Sequence, residues 1–295
     1  MTIIDAHSHL WQKQDTWVEG KRILSLKNGR SIFMDEEVQM LPPWLVDGVN
    51  SAEVFLSNMD YAQVGGAVVV QEVIDGNQNA YLTEVQQKYP ERFFCMGMAW
   101  NVAEAEAVIA AGLKGIAYPG HRMAPDTLPA LMPIFKLMEE KGLVLSMCLG
   151  ESEAQIAEMK EMIQECPRLK VAIGHFGMVT TKAFESQVKL ALAGENVMVE
   201  SGGITWLYNS EFYPYPSAIR SIKQAADWVG MDRLMWGSDY PRTITAITYR
   251  MSYDFITKSA ELTDKEKALF LGENAKQFYG FKNLPDLPYI KNMSE

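Results

Sequence analysis

Cysteine is scarce in this sequence: 295 residues contain only Cys95, Cys148 and Cys166, with no Cys-x-x-Cys pair and no Cys/His finger spacing. So odd and scattered a set excludes a disulfide framework and a structural zinc knuckle, and fits a reduced, cytoplasmic setting. Long apolar runs are missing too. Stretches such as Ala67–Val70 fall far short of the roughly 20 residues that cross a bilayer. The opening Met-Thr-Ile-Ile-Asp-Ala-His has no basic segment leading into an apolar one, so no signal peptide is expected. Positive charge is in deficit, with 27 Lys and Arg against 37 Asp and Glu and a net charge of −10. That balance counts against nucleic acid and anionic lipid as partners and leaves a small molecule as the expected one.

What is present is an ordinary globular composition, 48% apolar and 22% charged, enough to bury a large core. Short apolar runs precede longer helical patterns throughout. Candidate strands are Ile3–His9, Ala67–Val73, Phe93–Ala99, Gly115–Tyr118, Leu143–Cys148, Val171–His175, Val197–Ser201 and Leu234–Asp239. Near-continuous apolar runs of this kind suit parallel strands covered by helices on both faces. Candidate helices follow at Asn79–Tyr89, Val102–Ala111, Leu128–Lys141, Ser152–Glu165 and Ser217–Val229, and Thr263-Asp-Lys-Glu266 reads as a capping box opening a helix to about Tyr279. Eight alternations predict an α/β fold of the (β/α)₈ TIM-barrel type, with an open doubly wound sheet as the alternative. The chain reads as one domain, 1–295, interrupted by a long insertion at about 11–50 that would serve as an active-site lid or as a surface flap.

Only four histidines occur, and three lie at or near the ends of predicted strands. Asp5-Ala-His7-Ser-His9 places two imidazoles on one side of the first strand by alternation, an arrangement that suits a metal or an oxyanion. Val171-Ala-Ile-Gly-His175 ends the sixth strand, and Leu234-Met-Trp-Gly-Ser-Asp239 the eighth, where Pro241 helps to stop the strand. Strands one and eight adjoin in a closed barrel, so Asp239 would stand beside His7 and His9. A carboxylate so placed can take a proton from water and pass it on.

These motifs, His-x-His, Gly-His-x-Gly and Gly-Ser-Asp-Tyr-Pro, resemble the amidohydrolase superfamily, in its amidohydrolase-related branch. The resemblance runs from Ile4 to Tyr279, and details such as Val70-Gln71 and Asp232-Arg-Leu-Met-Trp-Gly-Ser-Asp-Tyr-Pro are similar to the sugar-lactonase and pyrone-dicarboxylate-lactonase group. It implies a (β/α)₈ barrel. It further implies that His7 and His9 bind a metal or polarise a carbonyl, that His175 contacts substrate or water, and that Asp239 is the general base, with Asp239 joining His7 and His9 if a metal is bound.

The sequence departs from the family pattern at two points. Metal-dependent decarboxylases of this branch end the fifth strand in a histidine; here the nearest equivalent is Cys148, either a thiolate ligand or a small buried hydrophobe. Lys114 stands at the wrong end of strand four to serve a two-metal site. One divalent ion, zinc by preference, and metal-free catalysis both stay open. Further polar residues near strand ends are candidate substrate contacts: Gln71, Glu72, Tyr118, His121, Arg122, Glu200 and Arg242, with Glu151 beside them. Alternation around Val197–Ser201 does not say which side Glu200 faces. The favoured expectation is a hydrolase opening a sugar-acid or dicarboxylate lactone. A metal-dependent decarboxylase of an aromatic or muconate-type acid is the alternative, and a binding barrel without turnover the third reading. Barrels of this type often pair, so a homo-oligomer is admitted.

Overall fold

The computed structural model describes residues 1–124 and 126–293. Eight parallel strands run in the order β1 (Ile4–Ser8), β6 (Gly66–Val69), β7 (Phe93–Gly97), β8 (Gly115–Tyr118), β9 (Val144–Met147), β10 (Lys170–Ile173), β11 (Val197–Glu200) and β12 (Leu234–Met235). The ring closes where the segment after β12 returns to β1: Ala6 N–H donates to Trp236 O at 2.9 Å, Asp239 N–H to His7 O at 2.9 Å and His9 N–H to Tyr240 O at 2.7 Å. This is the predicted barrel. Between its strands lie helices including α1 (Ala52–Tyr61), α2 (Asn79–Lys88), α3 (Val102–Ala110), α4 (Met132–Lys141), α5 (Glu153–Glu165), α6 (Phe184–Val188), α7 (Ile204–Leu207) and α8 (Pro216–Val229). Of these, α1, opened by Ser51 capping Val54 N–H, and the short α6 and α7 have no counterpart in the sequence reading.

Alternation sorts each strand into two populations. Ala67, Val69, Cys95, Ile116, Leu145, Ile173 and Val199 pack outward with helix residues such as Phe55, Leu82 and Phe135. Ile4, Ala6, Val68, Met96, Ala117, Val144, Ala172, Met198 and Met235 fill the barrel interior. Its floor is closed from the C-terminal side of the chain. There α9 (Met251–Lys258), α10 (Asp264–Ala268) and, after a π turn at Leu269–Glu273, α11 (Asn274–Tyr279) deliver Phe278, Tyr279 and Phe281 into the interior cluster. The capping box forms as read: Glu266 N–H donates to Thr263 Oγ1 and Thr263 N–H to Glu266 Oε2. Thr263→Ala is therefore expected to destabilise the fold by about 1 kcal/mol, measured as a lower midpoint in chemical denaturation. An unmoved midpoint would mean that the packing of α11 alone holds this segment.

The insertion is more ordered than a flap. It forms a four-stranded antiparallel sheet, β2 (Asp15–Val18), β3 (Lys21–Ser25), β4 (Arg30–Phe33) and β5 (Glu36–Gln39). Each hairpin turns through two residues of positive φ, Glu19-Gly20, Asn28-Gly29 and Met34-Asp35. That is the left-handed geometry whose twist matches paired strands.

Candidate active site

The strand that carries His7 and His9 does not obey simple alternation. Ile4 and Ala6 face the interior, so an even pleat would send His7 outward with Asp5. The pairing of β1 with β6 slips by one residue between Asp5 and Ser8, and this bulge reverses the phase. Both His7 and His9 then reach the cavity at the C-terminal ends of the strands. Asp5 stays on the other side. Fully buried, its carboxylate accepts from Ser238 N–H (2.8 Å), Ser238 Oγ–H (2.5 Å), Tyr249 Oη–H (2.7 Å) and His7 N–H (3.1 Å). It thereby ties β1 to the segment bearing Asp239. Burial outweighs those donors and pushes the Asp5 carboxyl up to about 6.

His175 and Asp239 lie just beyond their strands and not within them, which shortens the predicted spans Val171–His175 and Leu234–Asp239. The chain turns there through left-handed backbone, His175 at φ 51° and Asp239 at φ 56°. Non-glycine residues rarely take that conformation, and where they do they cluster at functional sites.

The four residues converge. His7 Nε2 lies 3.1 Å from His9 Nε2 and 3.7 Å from Asp239 Oδ1, and His9 Nε2 is 3.2 Å from the same oxygen. The His175 ring centroid is 4.7 Å from that of His7, and His175 Nδ1 bonds Gly202 O at 2.9 Å. Each outer imidazole nitrogen meets a carboxylate, His7 Nδ1 on Glu200 Oε1 at 2.8 Å and His9 Nδ1 near Asp75 Oδ2 at 3.3 Å. Three carboxylates thus surround two imidazoles. Burial opposes positive charge on both rings, but Glu200 reverses this for His7, and Asp239 and Asp75 reverse it for His9. For His175 burial prevails, helped by the adjacent His7, and holds it below the usual histidine range.

Such a cluster attracts a cation. A tetrahedral zinc ion bonded at about 2.0–2.1 Å keeps its ligands about 3.3–3.4 Å apart, close to the spacing of His7 Nε2, His9 Nε2 and Asp239 Oδ1. Carboxylates behind the ring nitrogens complete the arrangement usual around ligating histidines. The residues fit one divalent ion. Cys148, at the end of the fifth barrel strand, lies with His7 and His175 in a second donor group whose ligand atoms are all within 4.8 Å of one another.

The site opens into a cavity of about 560 Å³. Trp11, Gln14, Phe33, Val38, Gln39 and Met40 of the insertion line it, so the small sheet forms part of its wall. Of the predicted substrate contacts, Gln71, Glu72, Tyr118, His121, Arg122 and Arg242 line the cavity; Glu200 and Glu151 do not. Several are already engaged. Tyr118 Oη donates to Ala99 O, the Gln71 amide bonds Asn79, Met96 O and Gln78 N–H, and Arg122 pairs with Glu72 at 2.8 Å. Arg242 differs. Its guanidinium lies 3.6 Å over the Trp206 ring, with no carboxylate partner among the described residues.

Sequence reasoning passed over Asp75 and Trp206. Trp206 Nε1–H donates to Asp239 Oδ2 at 2.6 Å, holding the carboxylate while the other oxygen faces the imidazoles. Asp75 had a weak signal as a second acid three residues after Glu72; Trp206 had none, since its role depends on contacts between remote segments.

An eight-stranded parallel barrel with imidazoles and a carboxylate convergent at its strand ends defines an amidohydrolase-like (β/α)₈ protein. The chain belongs to the amidohydrolase family, whose model matches residues 4–281. No curated protein matches the sequence. Among solved structures, a probable 2-pyrone-4,6-dicarboxylic acid hydrolase from Acinetobacter baumannii with citric acid bound is 20% identical, at a TM-score of 0.72 over 95% of this chain and all of that one. An amidohydrolase from Burkholderia multivorans with bound zinc is 16% identical, at 0.71 over 97% and 100%. A 5-carboxyvanillate decarboxylase from Novosphingobium aromaticivorans, in complex with manganese and a nitrobenzoic acid, is 18% identical, at 0.55 over 78% and 80%. Likeness at these identities speaks to the fold.

Proposed function

We propose that this protein is a hydrolase that opens a small cyclic ester, a sugar-acid or dicarboxylate lactone. The observation that carries the reading is the convergence of His7 Nε2, His9 Nε2 and Asp239 Oδ1 beside an open cavity. The dicarboxylic acid hydrolase and the zinc-bound amidohydrolase among its structural neighbours support it.

His7, His9 and Asp239 would hold one divalent ion, zinc by its nitrogen and oxygen donors, which supplies Lewis-acid polarisation of an ester carbonyl. The remaining chemistry belongs to the chain. Asp239 stays ionised, because the hydrogen bond from His9 and the neighbouring imidazoles outweigh the effect of its burial. It takes a proton from the attacking water and returns it to the ring oxygen as the acyl C–O bond breaks. Trp206 keeps Asp239 from rotating, and His175, neutral and aimed by Gly202 O, orients water or substrate. Arg242, which lies over the Trp206 ring and has no carboxylate partner among the described residues, binds a substrate carboxylate or hydroxyls. Arg242→Ala is expected to raise KM about 10-fold or more with kcat little changed, the pattern of lost uniform binding. An unchanged KM would remove Arg242 from recognition.

The position of Cys148 favours a second reading. Its thiol, grouped with His7 and His175, restores a donor at the fifth strand, as non-oxidative decarboxylation in this branch would use. A pH-indicator assay against sugar-acid and dicarboxylate lactones separates the two. Lactone opening releases acid, and acid release on one ring type establishes the hydrolase. Silence on lactones, with carbon dioxide formed from an aromatic acid, would transfer the function to decarboxylation.

A further inference from the structure

Glu200 is the one predicted contact that sits among the functional residues yet does not reach the cavity. It follows Met198 on the inward face of β11 and is almost wholly buried. Both its oxygens are spent on the protein. Oε1 accepts from His7 Nδ1 at 2.8 Å and from His175 N–H at 3.2 Å, and Oε2 accepts from Gly202 N–H at 2.5 Å. The ends of three adjoining strands leave room for it. A Cβ on Gly174, Gly202 or Gly237 would stand 2.8 Å from a Glu200 oxygen in each case, and at Gly237 also 2.7 Å from His7 Cβ. Real Cβ atoms essentially never come so close. The backbone is therefore shaped around this carboxylate.

We propose that Glu200 is a positioning residue, not a substrate contact: it holds the proton of His7 on Nδ1 and so presents a bare Nε2 to the shared point with His9 and Asp239. The same carboxylate fixes the backbone at His175, and one group thereby sets two of the site's imidazoles. This rests on the reading of His7 Nε2 as a ligand or polarising group. Glutamine cannot replace it. The amide has one acceptor oxygen where three N–H donors arrive, so its NH₂ must face either His7 and His175 or Gly202. With the NH₂ toward His7, the ring turns its lone pair to Nδ1 and its proton to Nε2, where it blocks the site.

The test compares zinc-loaded wild type with Glu200→Gln and Glu200→Asp. Proton NMR of ¹⁵N-histidine-labelled wild type should show a downfield Nδ1–H resonance for His7, typical of a hydrogen bond to a carboxylate. In Glu200→Gln it should move upfield. Zinc affinity, from competition with a chromophoric chelator, should fall about 10–100-fold, and kcat should fall with KM little changed. Glu200→Asp keeps the charge and should recover part of both. A wild-type His7 protonated on Nε2, or a Gln variant with unchanged resonance and zinc affinity, overturns the proposal. The wild-type resonance decides even if the Gln variant fails to fold. Silence of the protein on every lactone would overturn the proposed reaction while leaving the His7 resonance and the zinc affinity as readouts.

Discussion

Asp239→Asn is expected to lower turnover by about 10²–10⁴-fold, the usual worth of a positioned general base, while the circular-dichroism spectrum and melting temperature stay close to wild type. The amide keeps an oxygen for the indole of Trp206, so the local packing survives. What is lost is the anionic oxygen that stands 3.2 Å from His9 and 3.7 Å from His7. The substitution therefore removes proton transfer and one donor to a cation together. Zinc content of the purified variant, measured by atomic absorption, apportions the two: full zinc with slow turnover isolates the base, and lost zinc identifies the ligand. Unchanged turnover would take Asp239 out of the reaction altogether.

The second large effect concerns the seam of the barrel. Asp5→Ala is expected to destabilise the protein by about 3–4 kcal/mol, because an unsatisfied buried donor costs about 1–3 kcal/mol and four donors lose their acceptor here. Their costs do not simply add, since Ser238 and Tyr249 can relax toward one another. At about 2–4 °C per kcal/mol for a chain of this size, the melting temperature should drop on the order of 10 °C. Activity should fall as well, because Asp5 sits between the backbone of His7 and that of Ser238, beside Asp239. A stable, active Asp5→Ala protein would show that backbone pairing alone closes the ring.

Much of this architecture can be read from residue patterns because it depends on local periodicity. The eight apolar runs stand as eight strands, and Asn101, Ser152 and Thr263 cap helices where a helical pattern begins. The sixth and eighth strands stop short of His175 and Asp239, since the turns there use positive φ that neither residue type advertises. The insertion carried hairpin signals at Glu19-Gly20 and Asn28-Gly29, but its polar, thinly buried strands lack the apolar runs that mark the barrel. In the site, the placement of His7 and His9 was legible for a reason that is only half right. Alternation relates the two to each other, whereas the bulge, which no residue announces, turns them inward. Glu200 and Trp206 act through atoms supplied by other strands, and a single sequence does not disclose such pairings.

The sheet beside the mouth is encoded in one uninterrupted stretch between the first and second barrel strands. The insertion supplies six cavity-lining residues, of which Phe33, Val38 and Gln39 lie in the sheet, and none of the converging imidazoles. Part of the cavity wall is thus written in a passage of the chain separate from the converging groups. A relative could exchange that stretch as a cassette and admit a different molecule while the reactive groups stayed where they are, and grafting the segment between homologues would be the direct way to transplant a preference.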